Sequence, residues 1–96
     1  MTHEVRHERH HRRFVVTVGA EEAFLAYELR VDGVLVLEHT FTPLSLRGRG
    51  IAREVVRAAL EYARNAGLSV DPQCWYAARF IARHPEYQDL VTDSDR

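Results

Sequence analysis

The chain is poor in cysteine, has no long apolar run and carries no large excess of charge of either sign. Its single cysteine, Cys74, excludes an internal disulfide and is typical of a reducing compartment. No segment approaches the roughly 20 apolar residues of a membrane-spanning helix, and the start has no apolar signal-peptide core. A net charge of -1 gives no sequence-wide attraction for nucleic acid. We therefore expect a cytoplasmic protein that binds neither nucleic acid nor membrane.

The composition is that of a folded protein. The 96 residues, 46% of them hydrophobic and 28% charged, suit one domain with one modest core. We assign residues 1–96 to that domain and expect its two ends, 1–11 and 92–96, to be loosely ordered. The polar, histidine-rich segment 1–11 is also compatible with the beginning of an edge strand.

The first half of the chain predicts an antiparallel meander of three strands. Segments 12–18, 23–31 and 34–42 are rich in β-branched, aromatic or alternating apolar residues. Between the second and third of them, Asp32-Gly33 predicts a two-residue hairpin turn. The alternation in the second strand predicts that one face carries Leu25, Tyr27, Leu29 and Val31.

Helical periodicity replaces alternation in the second half. Residues 50–66 form one wide apolar helical face, with Gly67 as the natural stop. A short strand at 68–70 follows, and then a second helix at 75–83 that ends before Pro85. Its inward-facing residues are expected to be Ala77, Phe80, Ile81 and Trp75. Strand, helix and strand in this order predict a right-handed crossover between parallel strands, and hence an α+β fold.

The junction before the first helix, residues 43–52, carries the strongest functional signal. Two glycines, Gly48 and Gly50, alternate there with Arg47 and Arg49. Glycines let a backbone approach a ligand closely, and the free N–H groups at a helix start attract anions. The junction therefore predicts a phosphate-binding loop for a nucleotide-like cofactor. The alternative is an ordinary turn into a helix, because short glycine motifs recur by chance.

Two side chains near this loop are candidates for chemistry. Ligands of such crossovers lie beyond the carboxyl ends of the strands, which groups Phe41, Thr42, the loop and Cys74 around one cleft. Cys74 precedes a helix, a position that favours a reactive thiol, although most free cysteines are simply buried. His39 lies on the neighbouring strand, about 4.8 Å away, and could act as a base or be a structural histidine. Strand alternation turns Glu38 to the opposite face from His39.

Two further histidine motifs have simpler explanations. The segment from His7 to His11 contains H-E-x-x-H, but a metalloprotease needs this motif on a long helix with a third zinc ligand. Here it lies in a polar segment that runs into a strand, so we expect a solvated edge and no metal site. The sequence His84-Pro85-Glu86-Tyr87 is interpreted as a structural turn after the second helix.

The spacing Arg47-x-x-Gly50-x-Ala52 resembles the acyl-CoA pyrophosphate motif of the Gcn5-related N-acetyltransferases. A longer set resembles the small single-domain branch of that superfamily over roughly residues 12–91. That set comprises His39-Thr40-Phe41, Arg47-Gly48-Arg49-Gly50-Ile51-Ala52, Ala63-Arg64, Gly67-Leu68, Pro72, Cys74, Tyr76 and Arg83-His84-Pro85-Glu86-Tyr87. The resemblance implies a minimal form of the family's fold, with a three-stranded meander, a βαβ crossover and a C-terminal helix.

The resemblance also implies a co-substrate, acetyl-CoA, and transfer of its acetyl group to an amine. The pyrophosphate would lie on the amides of Arg47, Gly48, Arg49, Gly50, Ile51 and Ala52. The pantetheine arm would pair with the strand edge at Phe41 and Thr42, between two splayed strands. The amine acceptor, a small molecule or a protein lysine, is not identified by the sequence.

The catalytic roles that follow from the resemblance remain alternatives. Cys74 either protonates the departing thiolate or carries the acetyl group transiently, and Tyr76 is a second candidate acid. His39 or a water molecule would be the base. The rival interpretation is a non-catalytic acyl-CoA-binding or interaction module, which the small size favours and the cysteine and histidine do not.

Overall fold

The computed structural model describes residues 3–92, which form a five-stranded sheet with helices on one face. The strands lie side by side in chain order and are β1 (Arg6–Glu8), β2 (Arg13–Val18), β3 (Glu21–Leu29), β4 (Val34–Phe41) and β5 (Ser69–Pro72). The first four pair antiparallel, whereas β4 and β5 pair parallel. The predicted α+β fold is confirmed, and the meander gains one strand because β1 forms the edge.

The apolar face of β3 is shorter than its sequence predicts. Tyr27 is buried, but Leu29 is 46% exposed and Val31 lies fully in solvent, so the prediction is wrong for these two residues. The reason is that β3 ends at Leu29 and the chain turns away from the core. The amide of Arg30 donates to the Val34 carbonyl at 2.9 Å. The hairpin loop therefore holds three residues, 31–33, rather than two.

Two α-helices complete the crossover. Helix α1 (Ile51–Ala66) lies between Gly50 and Gly67, so the predicted helix and its stop are confirmed. Helix α2 (Trp75–Ala82) is followed by a 3-10 helix, Pro85–Leu90. Within residues 3–92, the helices lack the length and the hydropathy that a membrane span requires.

Trp75 is 71% exposed, so its predicted inward position is wrong. Helix α2 buries Ala77, Phe80 and Ile81. Trp75 precedes Ala77 by two residues, about 200° of helical rotation, and its side chain therefore points away from that buried stripe. The indole lies instead at the solvent boundary of the site described below.

The core lies between α1 and the inner face of the sheet. Fully buried side chains there include Leu25, Leu35, Leu37, Val55, Leu60 and Val70. Every second residue of the strands thus packs against the apolar residues that recur every 3.6 positions in the helix. Each such side chain contributes roughly 1.5–3 kcal/mol through burial, which fixes α1 across the sheet.

The N-terminal segment is packed rather than loose from residue 6 onward. The ring of His7 stacks on Phe14 with centroids 4.1 Å apart, and its Nε2 lies 2.6 Å from the hydroxyl of Tyr27. The expected solvated edge is therefore wrong for His7. The H-E-x-x-H residues are divided between β1 and a 3-10 helix, Arg9–His11, and do not share one helical face. At the other end, the Thr92 amide donates to the Val70 carbonyl, and residues 1–2 and 93–96 lie outside the described range.

Candidate functional site

A β-bulge shapes the strand that borders the site. Tyr27 pairs with Leu37 and the adjacent Ala26 pairs with His39, so Glu38 is an extra residue without a partner in β3. Beyond the bulge, the two faces of β4 are exchanged relative to simple alternation. His39 shares the outer face with Phe24, at 6.1 Å between ring centroids, while Thr40 turns toward the inner face.

The bulge also marks the point where β4 and β5 part. Their parallel pairing runs from Val34 and Ser69 to Leu37 and Pro72. A final hydrogen bond joins the amide of Cys74 to the Leu37 carbonyl at 2.8 Å. Beyond this hydrogen bond, the two strands diverge and leave a cavity of about 600 Å³. Two strands that separate in this way expose backbone groups to whatever lies between them.

The cavity between β4 and β5 is lined by both residues proposed to take part in the reaction, Cys74 and His39, but no hydrogen bond joins their side chains. The thiol of Cys74 is buried and its Sγ lies 3.3 Å from Thr40 Oγ1. His39 lines the same cavity and is exposed. Glu38 also lines it, so the prediction that Glu38 and His39 face apart is wrong because the bulge displaces both.

The glycine loop leads from β4 into α1. A short 3-10 helix, Leu44–Leu46, anchors it by burying Leu46. Gly48 and Gly50 have φ angles of 81° and 76°, in the left-handed region that glycine adopts without strain. Gly50 is the N-cap of α1 and no side chain caps that helix. The first-turn N–H groups of α1 are thus not satisfied by a capping side chain.

The remaining loop residues divide between core and surface. Ile51 is buried, so only its backbone is available to a ligand, whereas Ala52 lines a cavity at the glycine loop. Arg47 Nε donates to the Thr42 carbonyl at 3.1 Å, which closes the loop over the end of β4. Phe41 is 42% exposed and packs against Phe24 on the outer face of the sheet.

Three adjacent cavities form one groove along these elements. One lies between α1 and α2 and measures about 670 Å³, a second of about 280 Å³ lies at the glycine loop, and the third is the opening between β4 and β5. Tyr76 lines all three. Burial raises the pKa of the Tyr76 phenol above its ordinary value, so the hydroxyl keeps its proton at neutral pH and can donate it.

The cavity between α1 and α2 is strongly basic. Its lining includes one carboxylate, Glu54, which is held by the amide of His3 at 2.7 Å. Against it stand five arginines, Arg49, Arg53, Arg57, Arg79 and Arg83. Guanidinium groups in such number favour a ligand with several anionic oxygens. We call this cavity the arginine cleft.

The residues that the sequence did not identify share one feature. Glu38, Arg79 and Arg83 come to the groove through tertiary structure, since a bulge turns the first and the packing of α2 against α1 brings the others. The spacing of Arg79 in α2 and Arg83, the C-cap of that helix, was the available signal. Residues four positions apart lie about one turn apart on the same face of a helix.

Comparison with known proteins agrees with this architecture. The sequence profile of the GCN5-related N-acetyl-transferase family matches residues 13–90. Protein NATD1 of Bos taurus is 35% identical over 88 residues, which cover 90% of this chain and 78% of that protein. Protein NATD1 of Danio rerio is 30% identical over 91 residues, 91% of this chain and 83% of that protein.

A solved structure extends the likeness to three dimensions. The NMR solution structure of a GCN5-like protein from Staphylococcus aureus superposes with a TM-score of 0.69 at 21% identity, covering 96% of this chain and 91% of that one. At this identity the likeness concerns the fold, which is the one that the sequence predicted. Together with the family profile and the relatives, it shows that this chain belongs to the GCN5-related N-acetyltransferase family, whose domain supports acetyltransferase-type function.

Proposed function

We propose that this chain is an acetyl-CoA-dependent N-acetyltransferase that transfers the acetyl group to an amine. The observation that carries the proposal is the continuous groove, which runs from the arginine cleft past the uncapped start of α1 to the opening beside Cys74. Anion-binding groups at one end and proton donors at the other match a long ligand with phosphates at one end and a thioester at the other.

The glycine loop is the proposed pyrophosphate site. Gly48 and Gly50 give left-handed backbone at the start of α1, which no side chain caps, and the N–H groups and dipole of a helix start favour negative charge. A Cβ on Gly50 would lie 2.8 Å from the Arg53 guanidinium, so this position also lets Arg53 lie close to the backbone. The backbone and one guanidinium are thus available to the same phosphate.

The opening between β4 and β5 is the proposed site of transfer. The acceptor nitrogen would attack the thioester carbonyl carbon, forming the C–N bond as the C–S bond breaks and its electron pair leaves with sulfur. Tyr76 and Cys74 are the donors available to protonate that sulfur. Glu38 and His39 are the groups available to take the proton from the amine. Proximity in the groove would supply much of the rate.

Calorimetric titration of acetyl-CoA tests the cofactor end. We expect saturable one-to-one binding to the wild type and loss of binding in Gly50→Glu, which adds bulk and negative charge to the loop. Gly19→Glu is the matched control, because Gly19 has a similar φ of 62° but lies in the turn between β2 and β3. Absence of binding to the folded wild type would overturn the proposal.

Transfer is tested with a panel of amines, including polyamines and lysine peptides, by release of the free CoA thiol. We expect Cys74→Ala and Glu38→Gln to retain acetyl-CoA binding and lose most of the transfer. An acetyl adduct on Cys74 in intact-protein mass spectrometry would assign it the carrier role. Binding without transfer to any amine would instead support a non-catalytic acyl-CoA-binding module.

A further inference from the structure

Arg57 differs from the other four arginines of the arginine cleft. Its Nη1 donates to the hydroxyl of Tyr87 at 3.2 Å, and its guanidinium lies 5.4 Å from the centroid of the Phe80 ring. Among the described residues, no side-chain hydrogen bond or ion pair engages the guanidinium groups of the others, Arg49, Arg53, Arg79 and Arg83. Arg57 is therefore the cation of the cleft whose direction is fixed before any ligand arrives.

The Tyr87 hydroxyl that holds Arg57 also holds a carboxylate. It donates to Glu61 Oε2 at 2.6 Å, and Tyr87 is 2% exposed. Arg57 and Glu61 are one turn apart on α1, a spacing at which opposite charges usually pair directly. The ion pairs found within residues 3–92 do not include this one. The phenol lies between the two charges, satisfies the carboxylate and leaves most of the guanidinium free.

The arginine cleft extends well past the pyrophosphate loop. Its lining begins at Arg49 and Gly50 and continues along α2 to Arg83 and His84. A group bound at its far end would belong to the same ligand that occupies the loop, because the two cavities share lining residues. Trp75, largely exposed, lies beside it with a flat face suited to a base. The cleft thus suits a nucleotide that carries a further phosphate.

We propose that Tyr87 is a positioning residue that holds Arg57 toward the arginine cleft. The ligand group that Arg57 meets there is the phosphomonoester at the nucleotide end of CoA. This inference rests on the proposed function. A phosphomonoester carries more charge than a phosphodiester and pairs well with planar guanidinium groups. The turn His84-Pro85-Glu86-Tyr87 thereby gains a role in ligand selection besides its structural one.

Titration of CoA against dephospho-CoA, which lacks only this phosphate, tests the inference. We expect the wild type to bind CoA about tenfold more tightly, the worth of one charge-assisted contact. Arg57→Gln and Tyr87→Phe should reduce that preference to about twofold or less, because the affinity for CoA falls further than the affinity for dephospho-CoA. Arg64→Gln is the control, since Arg64 also lies over the Tyr87 ring but pairs with Asp89 outside the cleft.

A double variant separates positioning from simple loosening of the fold. Without the phenol, Glu61 is free to pair with Arg57 directly and neutralise it. Tyr87→Phe combined with Glu61→Gln should therefore recover part of the preference for CoA, at a melting temperature no higher than that of Tyr87→Phe alone. A preference that stays lost in the double variant would contradict the positioning role.

The outcomes for the wild type are distinguishable. Equal affinity for CoA and dephospho-CoA would overturn the inference and leave the acetyl-CoA proposal standing. Binding of neither compound to the folded protein would overturn both. A preference for CoA that Arg57→Gln does not reduce would overturn the assignment to Arg57.

Discussion

Arginine serves opposite purposes at the two ends of this sheet. At the edge formed by β1 and β2, Arg13 donates to Glu8 at 2.7 Å and to Glu22 at 3.1 Å, while Arg6 lies between Glu8 and Thr17. In the arginine cleft, four of five guanidinium groups have no such partner among the described residues. The number of partners, and not the residue type, distinguishes a structural arginine from one available to a ligand.

The same contrast holds for apolar packing. Around β1, the rings of His7, Phe14, Tyr27 and Tyr62 form a cluster whose centroid distances run from 4.1 to 5.9 Å. At the other end, the pairing of β4 with β5 stops at Leu37 and leaves Trp75 in solvent. One end of the molecule is closed by its own side chains, and the other is left open along the groove.

The largest effect is expected in the core that both ends share. Leu60, fully buried on α1, leaves a cavity when truncated, so Leu60→Ala should lower the free energy of unfolding by about 2–5 kcal/mol. Denaturant titration read by Trp75 fluorescence and by circular dichroism should give one coincident transition. Leu29→Ala, at a half-exposed leucine, is the control and should cost far less. Two separate transitions would show that the ends unfold independently.

The second effect is a crossed pair of arginine substitutions. Arg13→Gln removes contacts to two carboxylates and should lower the melting temperature by a few degrees while leaving acetyl-CoA affinity unchanged. Arg53→Gln relieves repulsion among unpaired cations, so it should leave the melting temperature unchanged or slightly raised and weaken acetyl-CoA binding several-fold.

Thermal melting and calorimetry on both arginine variants check this pair. The glutamine side chain keeps much of the length of arginine and removes only the charge and part of the donor set. Loss of acetyl-CoA affinity in Arg13→Gln, or a clear loss of stability in Arg53→Gln, would contradict the division between the two ends.

The smallest effect is the pH response of the closed end. Burial, and secondarily the charge of Arg9, lowers the pKa of His7 below its ordinary value. The folded protein then binds protons less readily than the unfolded chain, so this contribution to stability is complete above the unfolded pKa and is lost as pH falls through the folded one. Lowering the pH from about 7.5 to about 5.5 should reduce the melting temperature less in His7→Phe than in the wild type. This variant keeps an aromatic ring stacked on Phe14. His10→Gln, at an exposed turn, should keep the wild-type slope.

Most of the fold could be predicted because its signals are local. The β-branched content of β2, the period of two in β3, the period of 3.6 in α1, and Gly50 and Gly67 at the ends of α1 each depend on a few neighbouring residues. The order of strand, helix and strand then predicted a right-handed crossover between two parallel strands. The family resemblance rested on the same local residues.

The parts of the site that could not be predicted depend on long-range geometry. The alternation rule assigned Glu38 and His39 to opposite faces because nothing in β4 alone reveals an unpaired residue, which exists only relative to β3. The inward position of Trp75 was wrong for a related reason, since its orientation follows from where α2 begins. The packed state of His7 depends on Tyr27 and Tyr62, which are 20 and 55 positions away along the chain.

The single extra residue in β4 has a consequence for comparing relatives. Before Glu38, odd-numbered residues such as Leu35 and Leu37 face α1, and after it the even-numbered Thr40 does. A relative that lacked Glu38 would restore simple alternation from Leu37 to Thr40, and would still place histidine on the outer face and threonine beside the Cys74 thiol. A one-residue gap at this point of an alignment therefore removes a carboxylate from the opening beside His39 without turning the residues that follow it.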